Sequence, residues 1–259
     1  MSEEQELRIQ PEITLDIIPS QQSKAINVDE NKDKLPSDTF CILPWVHLST
    51  RPDGAMRVCC TANASSVGAT NDRGKHGGQV GILKDEDGKP NNLNVSDFLS
   101  SWNGTYMKNV RTQMLNGEKP PSCVKCYKEE AAGHKSKREW ETHYWRQRVD
   151  LDQLIEDTSE DGEVPPQLAY IDLRFGTKCN LRCVMCSPHD SSDWVKDWTE
   201  VYPKVKNENL KQTMVWDNKG KNFGASYNWH KKNPKFWEQF YQQVPNMKQI
   251  YFAGGESLI

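Results

Sequence analysis

Long apolar runs are missing from this chain of 259 residues, so no segment reads as a bilayer span. Residues Met1 to Gln10 are polar and acidic, without the basic stretch and apolar core of a secretory leader, and a cytoplasmic protein with no membrane partner is expected. Positive charge is not in excess either. The 33 Lys and Arg stand against 36 Asp and Glu, a formal net charge of −3, so nucleic acid is not an expected partner. There is no P-loop, EF-hand, H-E-x-x-H pair or Ser/His/Asp constellation. Cysteine, by contrast, is present in quantity. Eight cysteines in a chain expected to stay reduced point to metal ligands or catalytic groups rather than disulfides.

The length allows one large domain or two small ones, and two are expected. Residues 1–38 are rich in charged and polar types and read as a disordered arm. From Phe40 to Leu48 aromatic and β-branched residues suggest a strand interrupted by Pro44, and Arg51-Pro52-Asp53-Gly54 then reads as a turn into a returning strand, Ala55 to Cys60. Residues 61–92 form a long Gly/Asn/Asp-rich loop. Ser96-Asp97 caps a helix with Phe98, Trp102, Met107, Val110 and Met114 as its apolar positions, with a possible break at Asn103-Gly104 and a stop at Asn116-Gly117. Lys128 to Leu154 reads as one polar helix, its Lys137 and Arg138 on a solvated face. The Glu/Asp-rich stretch 156–165 is the expected linker between a first domain, 39–155, and a second, 166–259.

In the second domain Ala169, Ile171, Leu173 and Phe175 alternate with Tyr170, Asp172 and Arg174, the period of a strand. That strand leads into Cys179-Asn180-Leu181-Arg182-Cys183-Val184-Met185-Cys186, a C-x3-C-x2-C loop. Three thiolates on one short loop can hold three corners of an iron–sulfur cubane and leave the fourth iron open. Structural zinc sites usually draw two separated C-x2–4-C pairs, and none follows Cys186. Ser191-Ser192-Asp193 caps the next helix, residues 201–233 form an irregular insertion, Pro234 opens a helix, and Gln249 to Ala253 is a strand delivering Gly254-Gly255-Glu256. In the first domain Cys41, Gly54 and Cys59 read as C-x12-G-x4-C, and Cys123-Val124-Lys125-Cys126 adds a C-x2-C; on chemical grounds this set suits a four-cysteine zinc site and a [4Fe–4S] cluster equally. Cys60 is either a spare thiol or the ligand in place of Cys59. His47 and His189, beside these cysteines, read as structural imidazoles.

The C-x3-C-x2-C loop after one strand and Gly-Gly-Glu after a later one resemble the radical S-adenosylmethionine (SAM) superfamily. The resemblance implies a [4Fe–4S] cluster on Cys179, Cys183 and Cys186, whose open iron chelates SAM, with Gly254, Gly255 and Glu256 at the methionyl end of that cofactor. It also implies reductive cleavage of the sulfonium to a 5′-deoxyadenosyl radical that abstracts hydrogen from a substrate. Met185 stands where an aromatic residue is frequent in that family, and Ser257 where proline is frequent. The Cys41, Cys59, Cys123 and Cys126 set resembles the twitch or SPASM auxiliary-cluster domains, here preceding the core instead of following it, and this favours an auxiliary [4Fe–4S] cluster over zinc. The expected fold is α/β, the beginning of a partial (β/α) radical SAM barrel preceded by a small α+β auxiliary-cluster domain. A peptide substrate and an external electron donor are expected, with a carbohydrate or nucleotide-derived metabolite as the alternative substrate. A non-catalytic two-cluster electron carrier or a zinc-stabilised binding module is the alternative of a different class. Because the chain stops three residues after Glu256, a truncated barrel is expected, with an open edge at 249–253 and weak SAM binding.

Overall fold

A turn and a proline shape the first part of the chain. Pro44 falls in the first turn of α1 (Leu43–Val46), where a missing N–H costs nothing. The Phe40–Leu48 stretch is therefore a single helical turn followed by β1 (His47–Thr50), rather than a strand throughout. Gly54, at φ +88°, closes the turn, Arg51 N–H meets Ala55 O at 2.8 Å, and the chain returns antiparallel as β2 (Met56–Arg57). This computed structural model describes residues 34–62, 81–188, 190–214 and 228–256; His189, Ser257 and the expected arm up to residue 33 lie outside them.

The described residues from Pro36 onward form one compact mixed α/β unit around a four-stranded sheet. β3 (Tyr170–Leu173) pairs parallel with β1 and with β4 (Gln249–Phe252), giving the order β2-β1-β3-β4. The two stretches on either side of 156–165 thus contribute strands to one sheet. β1 and β3 are buried throughout, as parallel strands covered on both faces are, whereas Ile250, Tyr251 and Phe252 of the edge strand β4 are exposed.

The first helical run breaks at Asn103-Gly104 into α2 (Phe98–Trp102) and α3 (Thr105–Leu115). The Lys128–Leu154 stretch is not one helix. Gly133, at φ +80°, follows α4 (Val124–Ala131), a Ser136/Glu139 capping box starts α5 (Lys137–Trp145), and the Asp150 side chain caps α6 (Leu151–Glu156). Of the aromatics in that stretch, Trp145 is fully buried, while Trp140 and Tyr144 are exposed. Then come α7 (Val195–Val201), α8 (Glu208–Met214), α9 (Trp229–Lys232) and α10 (Pro234–Gln243).

Fully buried Trp45, Trp102, Trp145 and Trp229 anchor the core, with Phe98 and Phe236 meeting edge to face at 5.5 Å. Trp145 stacks on Tyr170, which stacks on His47 at 4.1 Å, so α5 covers one face of the sheet. Arg111 on α3 is also fully buried. It donates to the carbonyls of Pro44, Trp102 and Gly162 and to Asn103 Oδ1, tying α1, the α2–α3 break and the 156–165 segment together.

Candidate metal centres

The C-x3-C-x2-C loop leaves the carboxyl end of β3 through Arg174, Phe175 and Gly176. Its backbone is latched by the residues that open α7. Ser192 N–H donates to Thr177 O (2.7 Å), Cys179 N–H to Ser192 Oγ (3.2 Å), and Ser191 Oγ to Leu181 O (2.7 Å). Trp194 Nε1 donates to Cys183 O at 3.1 Å, and Leu181 N–H points at Cys179 Sγ at 3.4 Å. A hydrogen bond of that kind stabilises a thiolate and is one of the levers on a cluster's potential. Cys183 is exposed, and Cys179 and Cys186 are half-buried. Burial, then Asp190, Cys183 and Cys179 nearby, push the Cys186 thiol above its ordinary value, with the Cys183 thiol as its hydrogen-bond partner. The loop residues between the ligands, Val184 and Met185, stand almost wholly in solvent.

The Gly-Gly-Glu turn sits against this loop. Gly254 and Gly255 have φ +77° and +60°, Gly255 N–H donates to Asp190 O (2.9 Å), and Glu256 N–H donates to Lys178 O (2.7 Å). A Cβ on Gly255 would lie 2.5 Å from Lys178 O, so the second glycine is required by the approach of the protein's own backbone. The ends of β3 and β4 are thereby bonded into one surface that carries three cysteines and a carboxylate.

The other cysteines meet elsewhere. Cys41 precedes α1, Cys59 follows β2, Cys123 ends the Pro121–Cys123 turn, and Cys126 lies in the first turn of α4; all four line one pocket, partly open to solvent. Cys60 is not among its lining residues. Burial, then Cys123 and Cys59, raise the Cys41 thiol well above its usual value, and burial, then Cys59, push Cys123 up to about 12. Burial also raises Cys59, whose sulfur lies 3.3 Å from Thr61 Oγ1. Thiols that raise one another in this way cannot ionise together unless a cation compensates them, which is the behaviour of a soft-metal donor set. Lys137 and Arg138 line the pocket as well, rather than a solvated face; Arg138 is held by Glu130 at 2.6 Å and donates to Phe40 O at 2.7 Å. Among the described residues no three Cys, His, Asp or Glu side chains group closely enough to hold an ion as they stand, so each cysteine set shares a surface or a pocket rather than a point.

Fully buried His47 pairs through Nδ1 with Tyr170 O at 3.2 Å, its Nε2 has no hydrogen-bond partner among the described residues, and burial pulls its pKa down to about 3. The latch residues Ser191 and Ser192 are readable in the sequence only as part of a helix cap, and a cap positioned just after a cysteine loop is the signal that finds them, whereas Asp190 carries no signal of its own. The chain matches no family model, no curated protein and no solved structure.

Proposed function

We propose that the chain is a radical SAM protein whose sheet is the start of a partial (β/α) barrel. Cys179, Cys183 and Cys186 would hold the [4Fe–4S] cluster, and Gly254, Gly255 and Glu256 would receive the methionyl end of SAM. Cys41, Cys59, Cys123 and Cys126 would hold an auxiliary [4Fe–4S] cluster, with zinc as the alternative occupant. The observation that supports this best is the bonding of the Gly-Gly-Glu turn to the cysteine loop through Asp190 O and Lys178 O, at the carboxyl ends of adjacent parallel strands, where α/β proteins place their ligands.

The donor sets suit the groups assigned to them: three thiols on one latched loop for a cluster with an open iron, and four thiols, three of them buried, around one pocket for a fully ligated site. When bound, cluster and SAM supply a one-electron cleavage of the sulfonium, and hence hydrogen abstraction from substrate. The chain's own part is positional. The Ser191, Ser192 and Trp194 bonds fix the loop that carries the ligands, Leu181 N–H stabilises the Cys179 thiolate, and the bonded glycine turn sets Glu256 beside that loop for an amino acid's polar end. A peptide substrate and an external electron donor complete the reading.

Electron paramagnetic resonance of the anaerobically reduced protein tests it. Part of the reduced-cluster signal should change on addition of SAM, and that part should be absent in Cys183→Ala, where any signal left is the auxiliary cluster's. A full cluster signal that SAM leaves unchanged would instead make the protein an electron carrier, and zinc without iron would make it a binding module.

A further inference from the structure

One polar row crosses three strands of the sheet, β2, β1 and β3. The registers Ser49↔Arg57 and Ser49↔Asp172 place Arg57 of β2, Ser49 of β1 and Asp172 of β3 side by side on one face. Arg174, two residues along β3's direction, follows Asp172 on that face at the carboxyl end. Ser49 Oγ donates to Asp172 Oδ2 at 3.1 Å and accepts from Arg57 Nη2 at 3.2 Å, while Arg57 Nη1 donates to Cys60 O at 3.1 Å. Arg174 Nε comes within 3.5 Å of Asp172 Oδ1 but makes no hydrogen bond with it.

The row is buried and incompletely paired. Arg57 is 7% and Asp172 1% exposed, and the Arg174 side chain is 24% exposed. Arg57 Nε, Arg174 Nε and Asp172 Oδ1 are three of the five buried side-chain nitrogen and oxygen atoms without a hydrogen-bond partner among the described residues. Native interiors leave few such atoms, and a cluster of them in one place calls for a ligand or an ion. Two guanidiniums face one carboxylate, so the row carries a surplus positive charge in a setting that penalises it.

Its position is that of a ligand site. The Arg174 stem lies beneath the glycine turn, 3.5 Å from where a Cβ on Gly254 would be, and Trp229 Nε1 holds the Arg174 carbonyl at 3.2 Å. The side chain thus starts under the glycine turn, at the carboxyl end of the parallel strands, and its Nε reaches back to the Asp172 carboxylate. We infer that Arg174, backed by Arg57, receives a carboxylate or phosphate group of the substrate, which makes the substrate anionic at one end; the word substrate here rests on the function proposed above. Planar guanidiniums pair with either anion through two parallel hydrogen bonds.

Isothermal titration of the full chain, purified anaerobically with its metal, tests this with inorganic phosphate, acetate and methionine, against chloride at equal ionic strength. Phosphate or acetate should bind at one site, whichever binds tighter naming the substrate's anion. Arg174→Gln should weaken that binding about tenfold or more, and Arg174→Lys should retain part of it. Circular dichroism of both variants verifies folding. No binding of either anion beyond the chloride control, or binding that Arg174→Gln leaves intact, would overturn the inference. Displacement of the bound anion by methionine would give the site to the cofactor's carboxylate and overturn its assignment to substrate. Anion binding in a protein whose cluster signal ignores SAM would sustain the site and reject the radical SAM reading, and the reverse result would reject the site alone.

Discussion

Replacing Gly255 with alanine tests whether the glycine turn and the cysteine loop are one device. At φ +60° an L-residue costs about 1–2 kcal/mol relative to a right-handed conformation. The added Cβ would also lie 2.5 Å from Lys178 O and 3.1 Å from Thr177 C, both backbone atoms, so the turn must move away. Moving it strains or breaks the Gly255 N–H bond to Asp190 O and the Glu256 N–H bond to Lys178 O, each contributing about 0.5–1.5 kcal/mol net. The docked turn should therefore be weakened by about 2–5 kcal/mol, with the lower end favoured because water reaches the half-buried site. Hydrogen exchange reads this directly: the Gly255 and Glu256 amides should exchange at least about 30-fold faster in Gly255→Ala, the factor that 2 kcal/mol implies. Gly88→Ala is the control, since Gly88 has a similar φ of +75° but open space around it. Unchanged protection at Gly255 and Glu256 in the variant would refute the claim that backbone contact, rather than chance, places glycine there.

The buried auxiliary pocket should hold metal independently of the C-x3-C-x2-C loop. Cys41→Ala should retain about four of about eight irons per chain if both sites hold [4Fe–4S] clusters, and retention of all metal by inductively coupled plasma analysis would remove Cys41 from the ligand set. For His47, burial first, then Lys137 and Arg57, pull the folded pKa to about 3 despite the Tyr170 carbonyl. The unfolded chain binds this proton near pH 6.5 while the folded chain does not, so stability falls as pH drops through that window, by about 2 kcal/mol from this group at pH 5. Urea unfolding at pH 7 and pH 5 should show that loss in the wild type and less of it in His47→Phe; equal losses would mean that His47 is charged in the fold. At the α2 N-terminus burial raises the Asp97 carboxyl, but Lys235, the Ser100 N–H and hydroxyl, and Gln239 outweigh it and hold the group well below the carboxylate range. Its contribution is present above the unfolded pKa and is lost as pH falls through the folded one. Asp97→Asn should accordingly lower Tm at pH 7, with the gap closing on acidification below about pH 4, and a gap independent of pH would contradict this.

Local pattern made some parts of the molecule legible and hid others. The alternation from Ala169 to Phe175 located β3, and the C-x3-C-x2-C spacing marked one thiol group, because those signals lie within a few residues of one another, whereas Cys41, Cys59 and the Cys123/Cys126 pair reach one pocket only through the fold. Pro44 misled in the first part of the chain: a proline read as interrupting a strand also suits the first turn of a helix, which is what α1 uses. Lys137 and Arg138 looked solvated because charges of both signs surround them in sequence, yet α5 begins only at Lys137, and its first turn faces the Cys41 pocket. Tyr170, Asp172 and Arg174 were recognised as one face of a strand. That the same face is buried follows from α5 laying Trp145 over Tyr170. The pairing of Ser49 with Asp172 spans 123 residues, and no local period encodes such a register.

Reductive cleavage of SAM tests the central claim most directly. Protein reconstituted with iron and sulfide, reduced anaerobically and given SAM should form 5′-deoxyadenosine and methionine, and the Cys183→Ala chain treated identically should form neither. A wild-type chain carrying its full complement of iron that yields no 5′-deoxyadenosine above the Cys183→Ala background would contradict the assignment of Cys179, Cys183 and Cys186 to a SAM-cleaving cluster.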